Sequence, residues 1–131
     1  CLRLIEASLS RWRPDRTFHL ITCVHGLHYV GDKLGLVERA ASWLVGDGLF
    51  VANLDLSNVR LAGDPAGRKL VAALRDAWLE YDPRRRLVAC RGRKEVHLPF
   101  HYLGADDGAG PNYTGQSAVD SHYEVIAERN R

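Results

Sequence analysis

Two apolar runs rich in β-branched residues, FHLITCV at 18–24 and LFVANLDL at 49–56, lie on either side of one helical pattern. No other feature narrows the possible folds as much. The first run is almost continuously apolar, which predicts a strand buried on both faces. Asp32 is placed to cap a helix in which Leu34, Val37, Ala41 and Leu44, with Leu36 and Ala40, recur at helical spacing. Gly46 or Gly48 is expected to close that helix in the left-handed conformation. A strand, a covering helix and a second strand make the unit from which parallel sheets are built.

The flanking segments extend the alternation. Residues 2–7 predict a short strand, and 8–12 one or two helical turns ending before Pro14. Asp64-Pro65 reads as a cap followed by a first-turn proline, opening a helix with Leu70, Val71, Leu74 and Trp78 on its buried stripe. Tyr81-Asp82-Pro83 would stop it. Residues 86–90 and 95–102 flank the turn-like RGRK and predict an antiparallel pair, and 122–127 a last strand. The expected architecture is a single α/β domain over residues 1–131, its sheet mostly parallel with an antiparallel far edge.

Composition sets further bounds. The 131 residues are 46% hydrophobic and 26% charged, enough to bury one core. A net charge of +2 supplies no electrostatic case for a nucleic-acid partner, and no apolar run approaches the roughly 20 residues of a membrane helix. Cys1, Cys23 and Cys90 are odd in number and widely spaced, which reads as reduced thiols in the cytoplasm. The absence of methionine and the strand-like opening CLRLI lead us to expect a piece truncated on its N-terminal side.

The chemistry concentrates where the first apolar run ends, at CVHGLHY, 23–29. In open α/β sheets, ligands bind outside the carboxyl ends of the strands. Phe18, Leu20-Ile21, Leu27-His28, Leu44, Asp47-Gly48 and Phe50-Val51 together resemble the second half of class I S-adenosylmethionine-dependent methyltransferases, over about residues 2–56. The resemblance implies a Rossmann-like methyltransferase sheet of order 3-2-1-4-5-7-6, entered here at its third strand. It implies S-adenosylmethionine as cofactor and a methyl acceptor, a small molecule rather than a macromolecule. Two parts of the family pattern are missing: the glycine-rich loop after the first strand, and the acid that holds the ribose. An upstream segment of the same protein is therefore expected to complete the sheet, and the fragment alone to be inactive. His19 also stands where the family usually has an aspartate.

By the same resemblance, Glu6, Ala7 and Ser8 border the adenine, while Val24, His25 and Gly26 lie along the methionine part of the cofactor. His25 and His28 are the candidate catalytic residues, because methyl transfer needs alignment and, for a protonated acceptor, a base titrating near neutrality. Tyr29, Asp106, Asn112 and Tyr113 are the candidate acceptor contacts, with 104–121 closing over them as a lid. Bland readings stand beside these. The histidines can simply fill a strand-to-helix turn, the arginines at 84–86 with Arg91, Arg93 and Lys94 can be a solvated face, and the tryptophans can be core. Cys23, His25 and His28 have a zinc-like spacing but lack a second pair, so no metal is expected. A non-catalytic α/β interaction module remains the alternative function. A reductase is the weakest, for want of Tyr-x-x-x-Lys.

Overall fold

Residues 2–9, 11–108 and 118–126 are described by the computed structural model of the chain. Among them are two α-helices, α1 (Lys33–Ser42) and α2 (Arg68–Asp76). The seven strands are β1 (Phe18–Cys23), β2 (Leu44–Asn53), β3 (Val59–Leu61), β4 (Glu80–Asp82), β5 (Leu87–Arg91), β6 (Phe100–Asp106) and β7 (Asp120–Val125). They form two small mixed sheets, one of order β1-β2-β5-β4 and one of order β3-β7-β6. Only β1–β2 and β3–β7 are parallel; the other pairs are antiparallel.

This overturns the expected mostly parallel, Rossmann-like sheet. The reason is the length of the connections. A parallel pair needs a crossover of a dozen residues or more, whereas β4 and β5 are joined by residues 83–86 alone and must form a hairpin. Asp82 fixes that turn, its carboxylate accepting from the amides of Arg84 at 2.9 Å and Arg85 at 3.3 Å. Consequently β5 pairs with β2 and β4, and the expected pairing of 86–90 with 95–102 does not occur. The later strand, β6, goes to the second sheet and pairs with β7.

Asp32 caps α1 as its position predicts, accepting from the Gly35 amide at 3.0 Å. Leu34, Leu36, Val37, Ala40 and Ala41 of that helix are buried. The helix stops at Ser42, earlier than expected. Gly46 and Gly48 lie inside β2, where the pairing with β1 jumps from Phe18↔Leu44 to Leu20↔Leu49. A side chain at 48 would bring its Cβ within 2.9 Å of the Phe18 carbonyl, so glycine serves the irregular pairing there rather than a helix end. In α2 the expected start also moves. Gly67 is the cap residue, at φ 75°, and Asp64 reaches forward to the Leu70 amide at 3.1 Å. Leu70 and Leu74 are buried as their spacing predicts, but Trp78 lies past the helix at φ 66° and is 80% exposed.

One core serves both sheets, with Leu27, Val37, Leu44, Phe50, Leu54, Leu70, Leu74, Val88, Cys90 and Tyr123 at its centre. A polar joint ties the start of α1 to β7. The Tyr123 hydroxyl donates to Asp32 at 2.8 Å and accepts from the Leu34 amide at 3.0 Å. Lys33, only 1% exposed, donates to the carbonyls of Val30 (2.9 Å) and Val119 (2.7 Å) and to the Ser121 hydroxyl (2.7 Å).

The expected strand at 2–7 does not form, nor does it slide across to pair with β1. Residues 2–8 carry no ladder, and Leu2 and Leu4 are exposed. β1 is therefore an edge strand among the described residues, with Leu20 60% exposed and not buried on both faces as its composition predicts. Alternate amides of β1 on that edge should exchange with solvent quickly, and those bonded to β2 slowly. Uniformly slow exchange across Phe18–Cys23 in a monomer would contradict the open edge.

Candidate functional site

The carboxyl ends of β1 and β2 open into a cleft of about 360 Å³ lined by His25, His28, Asn53, Asp55, Asn58, Arg84, Arg85, Arg86 and Ala118. All of its described lining residues but Ala118 carry a polar or charged side chain. His25 follows β1 at φ 62°, ψ −4°, a left-handed conformation that costs a non-glycine residue about 1 kcal/mol or more. A single 3-10 turn, Gly26–Tyr29, then carries His28 back toward it. The rings stack with centroids 5.5 Å apart and 24° between planes, His25 Nδ1 lying 3.4 Å from His28 Nε2. Gly26 has its own reason for being glycine: a Cβ there would meet Cys23 Sγ at 2.6 Å. Leu27, between the histidines, is fully buried and anchors the turn in the core.

Asp55 and Asn58 come from the turn after β2. The Asp55 carboxylate accepts from the Ser57 amide at 3.0 Å and hydroxyl at 2.8 Å, and Arg86 Nη1 lies 3.7 Å from it. Burial works against its charge, but the two Ser57 bonds and Arg86 prevail and hold it below its ordinary carboxylate value. Asn58 donates to the buried Asp120 at 3.1 Å, and the carbonyl of His28 accepts from the Val119 amide at 2.8 Å. The cleft is thus braced by the second sheet. Burial, followed by the proximity of His25, pushes His28 below the ordinary imidazole range. Burial thus favours the uncharged form of His28, whose ring lies beside a second imidazole and can accept a proton from a bound group.

Comparison of the chain with protein families, curated proteins and solved structures gives no match. The site has to be read from its own geometry.

Of the residues singled out in the sequence, the fold brings His25, Gly26, His28 and Tyr29 together in one turn and adds the arginines at 84–86 to the cleft's lining, and it leaves the others elsewhere. Glu6, Ala7 and Ser8 lie in the exposed N-terminal segment, where Ala7 lines a separate groove of about 560 Å³ with Arg3, Ile5, Leu9, Trp12, Arg16 and Phe18. That groove is the larger, but no acid–base pair converges in it. Val24 is 70% exposed and does not line the cleft, while Tyr29 sets its ring edge-on to His28 at 6.2 Å. Asp106 ends β6 and pairs with His122 Nε2 at 2.6 Å; the Gly108 amide and then His122 hold its carboxyl below the usual range. Asn112 and Tyr113 lie outside the described residues, and of the expected lid at 104–121 both ends belong to β6 and β7. Among the described residues no three His, Cys, Asp or Glu side chains converge as a metal site. No helix among them is long and apolar enough to cross a membrane.

Sequence reasoning missed Asn53, Asp55 and Asn58. The available signal was a polar tail, N-L-D-L-S-N, on an otherwise apolar strand, at the same sheet end as the histidines.

Proposed function

We propose that this chain is the acceptor-side part of an S-adenosylmethionine-dependent methyltransferase, with His28 as the general base and His25 as its partner. The observation that supports the reading is the stacked histidine pair at the carboxyl ends of β1 and β2, with His25 Nδ1 3.4 Å from His28 Nε2 on the wall of a cleft large enough for a small acceptor. On that reading the base removes a proton from the acceptor heteroatom as its lone pair attacks the methyl carbon. The sulfonium leaves as neutral thioether, and the protein's main contribution is alignment.

The family's glycine-rich loop and ribose-holding acid are lacking among residues 1–131, so this reading assigns the cofactor's main contacts to none of these residues. The chain alone should bind S-adenosylmethionine weakly; a micromolar dissociation constant by calorimetry would overturn that assignment. The activity itself is tested with the gene product that contains this chain, given tritiated S-adenosylmethionine and a panel of small phenol, amine and carboxylate acceptors. Release of S-adenosylhomocysteine that His28→Gln abolishes is the expected result, and none with any acceptor would sink the reading. A non-catalytic interaction module is the second reading, favoured by the exposed apolar side chains Leu2, Leu4, Leu20 and Val24.

A further inference from the structure

We propose that the cleft between the histidine pair and the 83–86 turn is a binding site for a small dianionic molecule, a phosphate ester or a dicarboxylate. The proposal goes beyond methyl transfer, because the site would hold such an anion whichever reaction the protein carries out.

Arg84, Arg85 and Arg86 are among the residues that line the cleft, and Asp55 is the only carboxylate among its described lining residues. Arg86 stands 3.7 Å from Asp55, too far for a direct hydrogen bond, and Arg85 stands 3.9 Å from Asp82 at the turn's outer side. The Arg84 guanidinium meets no carboxylate among the described residues. An anion bound among neighbouring guanidinium groups relieves their mutual repulsion, and their planar forks match the oxygens of phosphate and carboxylate.

The backbone supports the same conclusion. The turn's hydrogen bonds are made by its backbone groups rather than by the guanidinium groups. Asp82 accepts from two of its amides, Arg86 sits at φ 54°, and the Arg86 carbonyl accepts from the Leu54 amide at 2.7 Å. A non-glycine residue in that conformation is strained, yet the chain keeps arginine at a position where glycine would be easier. The strained His25 lines the same cleft. Asn53, Asn58 and the two histidines add hydrogen-bonding side chains, and Ala118 is the one apolar residue among the described lining residues. A cleft of this size, with these polar side chains around it, has room for a metabolite of a few carbons that carries charged groups.

The test uses the 131-residue chain, with inorganic phosphate, pyrophosphate, malonate and succinate as probes, followed by NMR. Saturable binding of at least one probe is expected, with the His25 and His28 ring signals shifting in step with the titration. Arg84→Gln and Arg86→Gln should each weaken it about tenfold. Arg93→Gln removes the same charge at a different groove and should change nothing. The phosphate and carboxylate arms decide which oxyanion the site prefers. No saturable binding of any probe, static histidine signals, or an equal loss in Arg93→Gln would each overturn the proposal. Methyl transfer is assayed separately, so either idea can fail without the other.

Discussion

Replacing His25 by glycine is expected to raise the melting temperature while removing most of the turnover. His25 is held at φ 62°. Glycine adopts that conformation without steric cost, although it gives up more chain entropy on folding. The balance should be a gain of up to about 1 kcal/mol, or roughly 3 °C for a domain of this size. The same change removes the imidazole 3.4 Å from His28, and loss of a positioned acid–base partner lowers rates by about 10²- to 10⁴-fold. His25→Ala separates the two effects, because it keeps the strained backbone and loses the ring. It should be as inactive as His25→Gly without being more stable. The measurements are thermal unfolding of the chain and S-adenosylhomocysteine release by the gene product. A stable, fully active His25→Gly would mean that the ring only fills the turn.

Lys33→Met is the substitution expected to cost most in stability, about 3 kcal/mol at neutral pH. Methionine has nearly the same length and fills the same space, so little cavity forms. What is lost is the donor to the Val30 and Val119 carbonyls and the Ser121 hydroxyl, and each buried acceptor left unsatisfied costs about 1–3 kcal/mol. Titration adds a signature. Burial lowers the Lys33 pKa from 10.5 to about 8, with Asp120 opposing the shift. Between those values the unfolded chain binds more protons than the folded one, so this group makes the protein more stable as pH rises through that window. Urea unfolding at pH 7, 8, 9 and 10 should show the gap between wild type and Lys33→Met widening with pH. A constant gap would mean that Lys33 keeps its ordinary pKa in the fold.

The elements legible in the sequence were those fixed by local chemistry. Asp32 capped the helix it was expected to cap, and β1, β2 and β7 formed close to where their apolar patterns placed them. Pairing was not legible in the same way, because it depends on loop lengths and distant partners. A four-residue connection at 83–86 sent β5 back against β4, and nothing local in 95–106 announced a partnership with β7. Gly46 and Gly48 looked like a helix end because glycine is common there; the jump in register with β1 explains Gly48, and nothing in the structure explains glycine at 46. Two of the site's residues, His25 and His28, were visible because they interrupt an apolar strand. Their neighbours Asp55, Asn58 and the arginines come from segments 30 to 60 residues away, and only the folded sheet ends bring them to one cleft.

The polar joint between α1 and β7 also sets an order of assembly. Its bonds join residues 88 and 89 positions apart, and the Asn58–Asp120 brace under the cleft spans 62. By contrast, β1, α1 and β2 follow one another directly. A ribosome adding about 5 to 20 residues per second releases the whole larger sheet before β7 exists. Closing such long loops delays the contacts that depend on them. The histidine turn can therefore form early, but its supporting wall arrives with the last strand. Until then Lys33 stands at the head of a finished helix with the Val30 carbonyl, three residues before it, as its one acceptor among the described protein contacts, and water in place of Val119 and Ser121.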